Sequence, residues 1–420
     1  MKKSRTLIVS FSFPPYPRVG AKRWESFAKE LHERGHDIHV FTAIPLSKYT
    51  SYQNDSYEFK VHRKPIKYPE VLINFPNDCI GRTAYRMWRV LLSIRFRGNI
   101  YDYSINWGDY FREEISRIIE EYRIQNVIVT GGPFRYFNFA INLKERFDLR
   151  IILDYRDPWT TKNRFDLSLK RNREEREMER RTVFAADSIT TASRDVKASL
   201  ETVFLADFPD ITNRIYVIEN GLDTTLPVNK ISDKALLNDR NGKELNLVYY
   251  GGIHCNLKHF ECFVEAVLSC NRIFDNLIKL TLYGNMNPNY NDIVRQKGGD
   301  HIQVEPRITD VEFLRIAEKT DFFVYLKPFG GFENSFGVKF FDYLRGRRKI
   351  LLIAPKGDVV DFVENNEIGY VLPVDGMFEY LAELFEKRLK GEIIYESKPE
   401  LESELSIKSR ALEIERVLDL

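Results

Sequence analysis

The segment GGFENSFGVKFFDYLRG, residues 330–346, sets one lysine and one carboxylate within a mostly apolar run behind a glycine pair. Lys339 and Asp342 are three residues apart, so they share one face of the helix that is predicted over 335–346. Ser335 suits the N-cap position of that helix. A helix start favours an anion, Lys339 adds positive charge, and Asp342 can accept hydrogen bonds from two vicinal hydroxyls. These residue types predict a site for a diphosphate and a ribose, with an ordinary Lys339–Asp342 salt bridge as the alternative.

Length and charge exclude several classes of protein. A chain of 420 residues is too long for one ordinary core, which favours two domains. The net charge is +2, so the overall charge of the chain does not indicate a nucleic acid partner. No stretch approaches the ~20 apolar residues of a membrane span. The short apolar run after the basic start, MKKSRTLIVS, predicts a first strand rather than a signal peptide, so we expect a cytoplasmic protein.

The cysteines favour neither disulfides nor a metal centre. They are Cys79, Cys255, Cys262 and Cys270. None lies in a C-x-x-C pair, and cytosolic proteins rarely keep disulfides. His254 and His259 stand near Cys255, but their spacing fits no common zinc pattern, so a structural role is preferred and no metal is expected.

Two successive runs of alternating strands and helices are predicted. The first run has strands at 6–11, 37–42, 126–130 and 151–154 and a helix at 20–35. The second has strands at 244–250, 278–284, 301–305, 321–326 and 349–354 and helices at 257–269, 310–320 and 335–346. Strand, helix, strand with short links predicts a parallel, doubly wound sheet in each run. The fold class is therefore α/β with two doubly wound domains, whose ligands are expected outside the carboxyl ends of the strands.

A polar segment without clear periodicity, 225–243, is the predicted linker. We assign 1–224 to an N-terminal domain and 225–400 to a C-terminal domain. Residues 401–420 are predicted to form a C-terminal helix that packs back on the N-terminal domain. Two such domains joined by a linker would face each other across a cleft.

The loop FSFPPYPRVGAKR, residues 11–23, follows the first predicted strand. Gly20 lets a ligand approach the backbone, and the helix after it offers free N–H groups to an anion. Arg18, Lys22 and Arg23 add positive charge. An ordinary strand-to-helix turn with surface cations is the alternative.

Two further loops follow predicted strands. LDYRDPWT, 153–160, places Asp157 at a strand end, with a turn residue before a proline as the alternative. YYGGIH, 249–254, opens the second domain with Gly251 and Gly252. The chain contains no G-x-G-x-x-G, no P-loop and no G-x-S-x-G motif. A dinucleotide fingerprint, a P-loop nucleotide site and the usual esterase elbow are therefore not supported.

The chain resembles the retaining glycosyltransferases of GT-B fold, especially glycosyltransferase family 4. The resemblance extends over nearly the whole chain and rests on FPPYPRVGAKRWESFAKELHERGHDIHVFT, DYRDPW, ADSITTAS, VIENGLD, YYGG and NSFGVKFFDYL followed by KILLIA. It implies two Rossmann-like domains, of which the second mainly binds a nucleotide sugar and the first mainly binds the acceptor.

The resemblance also implies roles for individual residues. The implied catalytic set is Gly20, Arg23, Asp157, Lys258, Glu333 and Asn334. The set implied to bind the nucleotide sugar is Gly251, Gly252, Gly284, Arg307, Ser335, Gly337, Val338, Lys339 and Asp342. Gly20 would lie near the donor phosphates or the acceptor, and Lys258 would contact the diphosphate. Arg307 stands where the family's backbone faces the base, and Asp342 stands where the family usually has a ribose-binding glutamate.

The family often carries two glutamates eight positions apart, and this chain departs from that pattern. Eight positions before Asp342 stands Asn334, with Glu333 one residue away. Either a local shift brings Glu333 to the donor sugar, or Asn334 bonds the sugar instead. The implied mechanism needs no metal or other cofactor, because N–H groups and cations stabilise the leaving diphosphate while the departing phosphate takes the acceptor proton.

Residues 81–99, GRTAYRMWRVLLSIRFRGN, contain five arginines and no acidic residue, with aromatic and aliphatic residues between them. Such a segment can lie on an anionic membrane surface, which would place the protein peripherally at the inner face of the membrane. A helix whose arginines are merely solvated is the alternative. If the membrane hypothesis holds, a lipid-linked sugar becomes a candidate acceptor.

The resulting hypothesis is a retaining glycosyltransferase that moves a sugar from a nucleotide-diphosphate sugar to a carbohydrate or lipid-linked acceptor, in surface polysaccharide or glycolipid synthesis. One alternative is a nucleotide-sugar 2-epimerase of the same fold, which would favour acidic and histidine groups for proton transfer. Another is a catalytically inactive nucleotide-sugar-binding subunit, which the missing acid at Asn334 would suit.

Overall fold

The computed structural model describes residues 3–16, 19–44, 57–161, 167–223, 244–253, 255–275, 277–329, 333–396 and 398–419. The chain divides into two compact units. The first runs as far as Glu219 and resumes at Ile407, and the second is Asn220–Ser406. The predicted linker 225–243 lies outside the described residues, as do Arg18 and His254.

The first unit is built on a seven-stranded parallel sheet with strand order β3-β2-β1-β4-β5-β6-β7. Its strands are β1 (Arg5–Ser10), β2 (Asp37–Ala43), β3 (Lys60–Lys64), β4 (Asn126–Thr130), β5 (Arg150–Tyr155), β6 (Ser188–Thr191) and β7 (Ile215–Val217). The central strands β1, β4 and β5 contain the apolar runs LIV, VIV and IIL, because helices cover both faces of a parallel sheet. The register sets Ile8 beside Val40 of β2 and Ile128 of β4.

Helices on both faces complete the first unit. They are α1 (Val19–Glu33), α2 (Glu70–Ile73), α3 (Cys79–Arg95), α4 (Gly108–Tyr110), α5 (Ser116–Tyr122), α6 (Tyr136–Ile141), α7 (Leu169–Ala185), α8 (Arg194–Phe204) and α9 (Ile211–Arg214). Ile8 packs with Trp24 and Phe27 of α1 on one face, while Val9 packs with Trp107 on the other. Alternate side chains along each strand therefore pack into two separate apolar layers, one on each face of the sheet.

The second unit has a six-stranded parallel sheet with strand order β10-β9-β8-β11-β12-β13. Its strands are β8 (Leu245–Tyr250), β9 (Ile278–Tyr283), β10 (Ile302–Glu305), β11 (Phe322–Leu326), β12 (Lys349–Ile353) and β13 (Gly369–Val371). Two parallel sheets with flanking helices confirm the predicted α/β class and the two Rossmann-like domains.

The helices of the second unit are α10 (Leu257–Ile273), α11 (Pro288–Lys297), α12 (Asp310–Ala317), α13 (Val338–Gly346), α14 (Asp358–Asn365), α15 (Met377–Leu389) and α16 (Pro399–Glu404). Leu247 and Val324 pack with α10 and α15 on one face of the sheet. Val248 and Phe323 pack with α12, α13 and α14 on the other. Helix α13 follows β11 and therefore begins at the carboxyl edge of the sheet, where ligands of such folds bind.

A last helix, α17 (Ile407–Asp419), returns to the first unit. Its Ile414 and Leu418 share an apolar layer with Phe27 of α1. Glu415 accepts from His36 Nε2 at 2.8 Å and from Arg34 Nη2 at 2.6 Å. Apolar and ionic contacts thus fix the end of the chain to α1 and its following turn.

Candidate functional site

Lys339 joins helix α13 to the loop that follows β8. Its Nζ donates to the Tyr249 hydroxyl at 2.6 Å and to the carbonyl of Gly252 at 2.9 Å, and it lies 4.3 Å from the Tyr249 ring centroid. Burial lowers the pKa of the Lys339 ammonium to about 8, against the opposing effects of Cys255 and Asp342. The described residues supply it with hydroxyl and carbonyl partners and no carboxylate within ion-pair distance, so a ligand anion would find an uncompensated cation here.

Two glycines shape the backbone around this lysine. Gly251 has φ +96°, and a Cβ there would stand 3.0 Å from Lys339 Cε. Gly284, which follows β9, has φ +137°, and its Cβ would stand 2.9 Å from the carbonyl oxygen of Gly251. The structure therefore gives Gly284, predicted to bind the nucleotide sugar, a close backbone approach to Gly251 that already explains a glycine at this position.

Asp342 pairs with Arg345 rather than with Lys339. The Asp342 side chain is 16% exposed, and its Oδ1 lies 3.5 Å from Arg345 Nη2. The simple Lys339–Asp342 salt bridge, our alternative for these charges, is therefore wrong. The Asp342 carboxylate is partly exposed and lies on the same face of α13 as Lys339, one helical turn further along.

Lys327, the residue after β11, is 3% exposed and contacts the loop that precedes α13. Lys327 Nζ donates to the carbonyls of Ser335 at 2.7 Å and Glu333 at 3.3 Å. The Asn334 Oδ1 atom accepts from the backbone N–H of Asp358 at 3.0 Å, at the start of α14. Buried side chains and a helix start thus fix the loop that carries the two candidate sugar contacts.

The helix start differs from the prediction. Helix α13 begins at Val338, with Gly337 in the N-cap position and no side chain capping the first turn. Ser335 as N-cap is therefore wrong, because Lys327 holds its carbonyl in the preceding loop. The N–H of Gly337, a residue of the set implied to bind the nucleotide sugar, donates to the Tyr325 hydroxyl at 3.3 Å and so already has an internal partner. Val338 opens a helix whose first turn is available to an anion.

The remaining predicted residues of the second unit are exposed. Lys258 lies in the first turn of α10, where its N–H donates to the capping Asn256 Oδ1 at 2.9 Å. Arg307 follows β10 on the surface. Lys258 is in the helix that follows β8 and Arg307 is in the segment that follows β10, so both lie beyond the carboxyl ends of strands of the second sheet.

In the first unit, Arg156, which follows β5, bonds to the loop after β4 and lies against Gly20 of α1. Its Nε and Nη2 donate to the Gly131 carbonyl at 3.1 and 2.9 Å, and Nη2 lies 3.3 Å from the Gly132 carbonyl. A Cβ on Gly20 would stand 1.3 Å from Arg156 Nη1. Gly20 therefore leaves room for the guanidinium of Arg156, a residue of the DYRDPW motif that is not among the predicted site residues. Its position directly after a central strand was the available signal.

The Arg23 side chain lies in the interior of the first unit. It is buried, and its Nη2 donates to the Ile218 carbonyl at 2.7 Å and lies 3.4 Å from Asp154 Oδ1. Burial lowers the pKa of the Arg23 guanidinium, whereas Asp154 raises it. The structure therefore shows an interior contact for Arg23, whose helical position faces the sheet, and its catalytic role stays a prediction. Asp157, three residues after Asp154, is half-buried in the loop after β5.

Helix α3 exposes most of its length. Only Leu92 of its described residues is buried. Exposed apolar side chains lie between exposed arginines, and they are Ile80, Met87, Trp88, Val90, Leu91 and Ile94. Arg171 of α7 secures the end of the helix by donating to the Ser93 carbonyl at 2.9 Å and the Gly98 carbonyl at 2.7 Å. No described helix is long and apolar enough to cross a membrane. Within the described residues, no group of three or more metal-binding side chains is placed to hold an ion.

Solved structures share this architecture. Sucrose-phosphate synthase from Thermosynechococcus elongatus is 13% identical with a TM-score of 0.62, over 99% of this chain and 98% of that one. WaaG, a glycosyltransferase involved in lipopolysaccharide biosynthesis, is 13% identical with a TM-score of 0.54, over 97% and 94%. The UDP-GlcNAc 2-epimerase from Methanocaldococcus jannaschii is 10% identical with a TM-score of 0.52, over 99% of each chain. These likenesses establish the GT-B fold.

The sequence comparison is more specific for the first unit. The model of Glycosyltransferase Family 4 matches residues 20–226. No curated protein matches the chain. The family match over just under half of the chain and the shared GT-B fold confirm the resemblance to glycosyltransferase family 4.

Proposed function

We propose that the protein transfers a sugar from a nucleotide-diphosphate sugar to an acceptor hydroxyl, with retention of configuration and without a metal. The observation that carries this proposal is the arrangement around α13. A desolvated lysine, an uncapped helix start and a carboxylate follow one another along a single helix at the carboxyl edge of the sheet. The first two suit a diphosphate, and the third suits a ribose.

In the proposed reaction the bond between the sugar anomeric carbon and the diphosphate oxygen breaks, and the acceptor oxygen bonds to that carbon from the same face. The acceptor proton goes to the departing phosphate oxygen. Negative charge grows on the leaving diphosphate, where Lys339 and the N–H groups of the first turn of α13 stabilise it. We propose that these residues bind the donor in the second unit and that the first unit, including Gly20, Arg156 and Asp157, binds the acceptor.

The loop geometry favours Glu333 as the donor-sugar contact. Asn334 accepts a hydrogen bond from the N–H of Asp358 through Oδ1, so one of the two lone pairs of its side-chain oxygen is used at the start of α14. A carboxylate can accept several hydrogen bonds from sugar hydroxyls, whereas the amide nitrogen of Asn334 can only donate. We therefore assign the sugar contact to Glu333 and the loop-fixing contact to Asn334.

Nucleotide binding and transfer test the proposal separately. A nucleoside diphosphate at 100 times its Kd should stabilise the chain by about 2.7 kcal/mol, which raises the melting temperature by several degrees. A panel with uracil, guanine and adenine bases identifies the donor, and sugar transfer from the matching nucleotide sugar then separates an enzyme from an inactive binding subunit. The Glu333→Gln variant should keep the thermal shift and lose transfer. If none of the diphosphates shifts the melting temperature, the proposed donor site is wrong.

The sugar-transfer assay also tests the epimerase alternative. We retain this alternative because the chain is similar in fold to a UDP-GlcNAc 2-epimerase. Epimerisation needs acid and base groups at the sugar C2 carbon. The described candidate site offers Lys339, Asp342 and Glu333, of which the first two face the diphosphate and ribose in our assignment. Formation of a 2-epimer without an acceptor would decide for the alternative.

We further propose that α3 rests on an anionic membrane surface and that the acceptor is lipid-linked, in surface glycan synthesis. The lipopolysaccharide role of WaaG supports this pathway class by analogy alone. The physical support is a helix with exposed arginines, exposed apolar side chains and a single buried residue. Apolar side chains enter the headgroup region while arginines attract anionic lipids.

Vesicle flotation should show this contact. The protein should float with phosphatidylcholine vesicles that contain phosphatidylglycerol and stay behind with phosphatidylcholine alone. Ile94→Glu should lower the bound fraction about tenfold, since it places a charge where an apolar side chain is buried. Leu169→Glu is the matched control, because Leu169 of α7 is 80% exposed, as Ile94 is. Equal loss in both variants would refute a specific role for α3.

A further inference from the structure

Helix α7 carries two buried carboxylates one helical turn apart. Glu175 is 5% exposed and Glu179 is 1% exposed, whereas Glu177 of the same helix has a side chain that is 61% exposed. Burial raises the pKa of both buried carboxyl groups, that of Glu179 to about 7. A buried carboxylate costs stability unless hydrogen bonds compensate for the lost hydration. The hydrogen-bond partners of the two groups therefore indicate why carboxylates stand at these positions.

Glu175 contacts three segments of the first unit. Its Oε2 accepts from Trp159 Nε1 at 2.6 Å, in the loop after β5. Its Oε1 accepts from the backbone N–H of Asn99 at 2.6 Å, in the segment after α3. The same Oε1 lies 3.6 Å from Nη1 of Arg135, in the loop after β4. One carboxylate thus joins the loops that follow two neighbouring strands to the segment that follows α3.

Glu179 holds the loop after β5 at the next residue, where its Oε2 accepts from the Thr160 hydroxyl. The Trp159 ring, which is 9% exposed, stacks on Phe134 of the loop after β4, with the ring centroids 5.5 Å apart and the planes 7° apart. The N–H of Phe134 in turn donates to the buried carboxylate of Asp102 at 2.8 Å. Residues 159 and 160 are therefore held by two carboxylates and one ring stack.

The residues that these contacts hold lie next to those proposed to bind the acceptor. Asp157 stands two residues before Trp159, and Arg156 bonds the same loop to the Gly131 carbonyl at 2.9 Å. A misplacement of a catalytic group by about 1 Å can lower a rate about 100-fold. Anchoring of this loop therefore affects transfer even though neither glutamate needs to touch a ligand.

We propose that Glu175 and Glu179 are positioning residues that fix the loop after β5, and with it Arg156 and Asp157, for the acceptor. This inference rests on the proposed function, since it presupposes that the first unit binds the acceptor. The effect of the two glutamates passes through the backbone of the loop. It should appear in sugar transfer to an acceptor and not in nucleotide binding by the second unit.

Amide hydrogen exchange of the full chain tests the anchoring without any ligand. Glu175→Gln and Glu179→Gln keep the shape of the side chains and remove the charge that accepts the hydrogen bonds. Each variant should raise the exchange rate of residues 156–161 about tenfold or more, the effect expected from loss of a hydrogen bond to a charged group. All variants are measured at about pH 8, where Glu179 is mostly ionised. Unchanged exchange in both variants would overturn the inference.

Transfer and hydrolysis of the donor separate positioning from general damage to the fold. The acceptor probes are the octyl glycosides of glucose, galactose and N-acetylglucosamine, and water is the acceptor in hydrolysis. Both glutamine variants should lower transfer about tenfold or more relative to hydrolysis and change the nucleoside diphosphate Kd less than about threefold. Thr160 is partly exposed, so Thr160→Val should remain folded and act like Glu179→Gln. The double variant should lose little more than either one, because both changes remove the same hydrogen bond.

Val183→Ala and Glu177→Gln are the matched controls on α7. Val183 is fully buried, so its variant should lower the melting temperature without changing the ratio of transfer to hydrolysis. Glu177→Gln should change neither quantity, because that side chain is exposed. Faster exchange of the loop with an unchanged ratio would limit the two buried glutamates to a structural role and overturn the inference. A wild-type chain that binds no nucleoside diphosphate, or transfers sugar to none of the probes, counts against the proposed function, and the exchange measurement still decides whether the glutamates hold the loop.

Discussion

Lys339→Met should weaken nucleoside diphosphate binding by about 10- to 100-fold, which is the value of one hydrogen-bonded charge of roughly 1.5–3 kcal/mol. Lys339 is the one cation that the structure places on α13 with no carboxylate in ion-pair contact, so its interaction with a ligand anion is not offset by an internal partner. The Lys339→Met variant should remain folded without ligand. After loss of the lysine, the Tyr249 hydroxyl still donates to the Gly252 carbonyl at 2.6 Å.

The pH dependence of binding gives Lys339 a distinct signature. Burial lowers its pKa from 10.5 to about 8 in the free protein. A bound diphosphate favours the charged ammonium, so binding above pH 8 requires uptake of a proton. The Kd should therefore rise by up to about tenfold per pH unit above pH 8, until the pKa of the bound form is reached. Calorimetry between pH 7 and 10 measures this directly.

Two variants serve as controls for the lysine. Lys339→Met should show no such rise in Kd, and Lys339→Arg should bind with a flat profile, because arginine stays protonated. The free energy of unfolding of the protein without ligand, in contrast, should increase as pH rises. The unfolded chain holds the lysine proton up to pH 10.5, so between pH 8 and 10.5 the unfolded state binds more protons and this group stabilises the fold as pH rises. Identical Kd profiles in wild type and Lys339→Met would exclude the lysine from the diphosphate site.

The sequence predicts the strands of this fold where both faces are buried. β1, β4, β5, β8 and β11 are apolar runs followed by glycine, proline or charged residues, and their periodicity is visible without a structure. The edge strand β3, KVHRK, was not predicted, because it has polar residues and no fully buried position. The three-residue strands β7 and β13 are too short to give a pattern.

The site was predictable by position and less so by orientation. Lys339 and Asp342 follow from their spacing on one helix. The displaced helix start at Val338 does not, since it depends on Lys327 and Tyr325 reaching from β11 and its end. The burial of Arg23, in contrast, was predictable from the sequence. Arg23 stands four residues before the buried Phe27, so it shares the buried face of α1, and that spacing was the signal in the sequence.

Asp154→Ala should destabilise the chain by about 3–5 kcal/mol, because it leaves the Arg23 charge buried without its carboxylate. Asp154 is fully buried and accepts from Trp24 Nε1 at 2.7 Å and from Thr190 Oγ1 at 2.9 Å as well. Urea unfolding of the full chain measures the change. Asp148→Ala is the matched control, an exposed aspartate just before the same strand, and should change stability by less than about 0.5 kcal/mol.

The double variant Arg23→Met/Asp154→Leu decides whether Arg23 serves the fold or the chemistry. Replacing both charges by apolar side chains of similar size should recover most of the stability lost in Asp154→Ala, since no unpaired charge remains. If Arg23 has only an interior role, the double variant should also transfer sugar at a rate within about tenfold of the wild-type rate. That limit corresponds to about 1.4 kcal/mol in the activation free energy. A double variant that is as stable as wild type yet transfers no sugar would return Arg23 to the catalytic set, and the burial of its guanidinium against Asp154 would then describe a resting arrangement that the substrate changes.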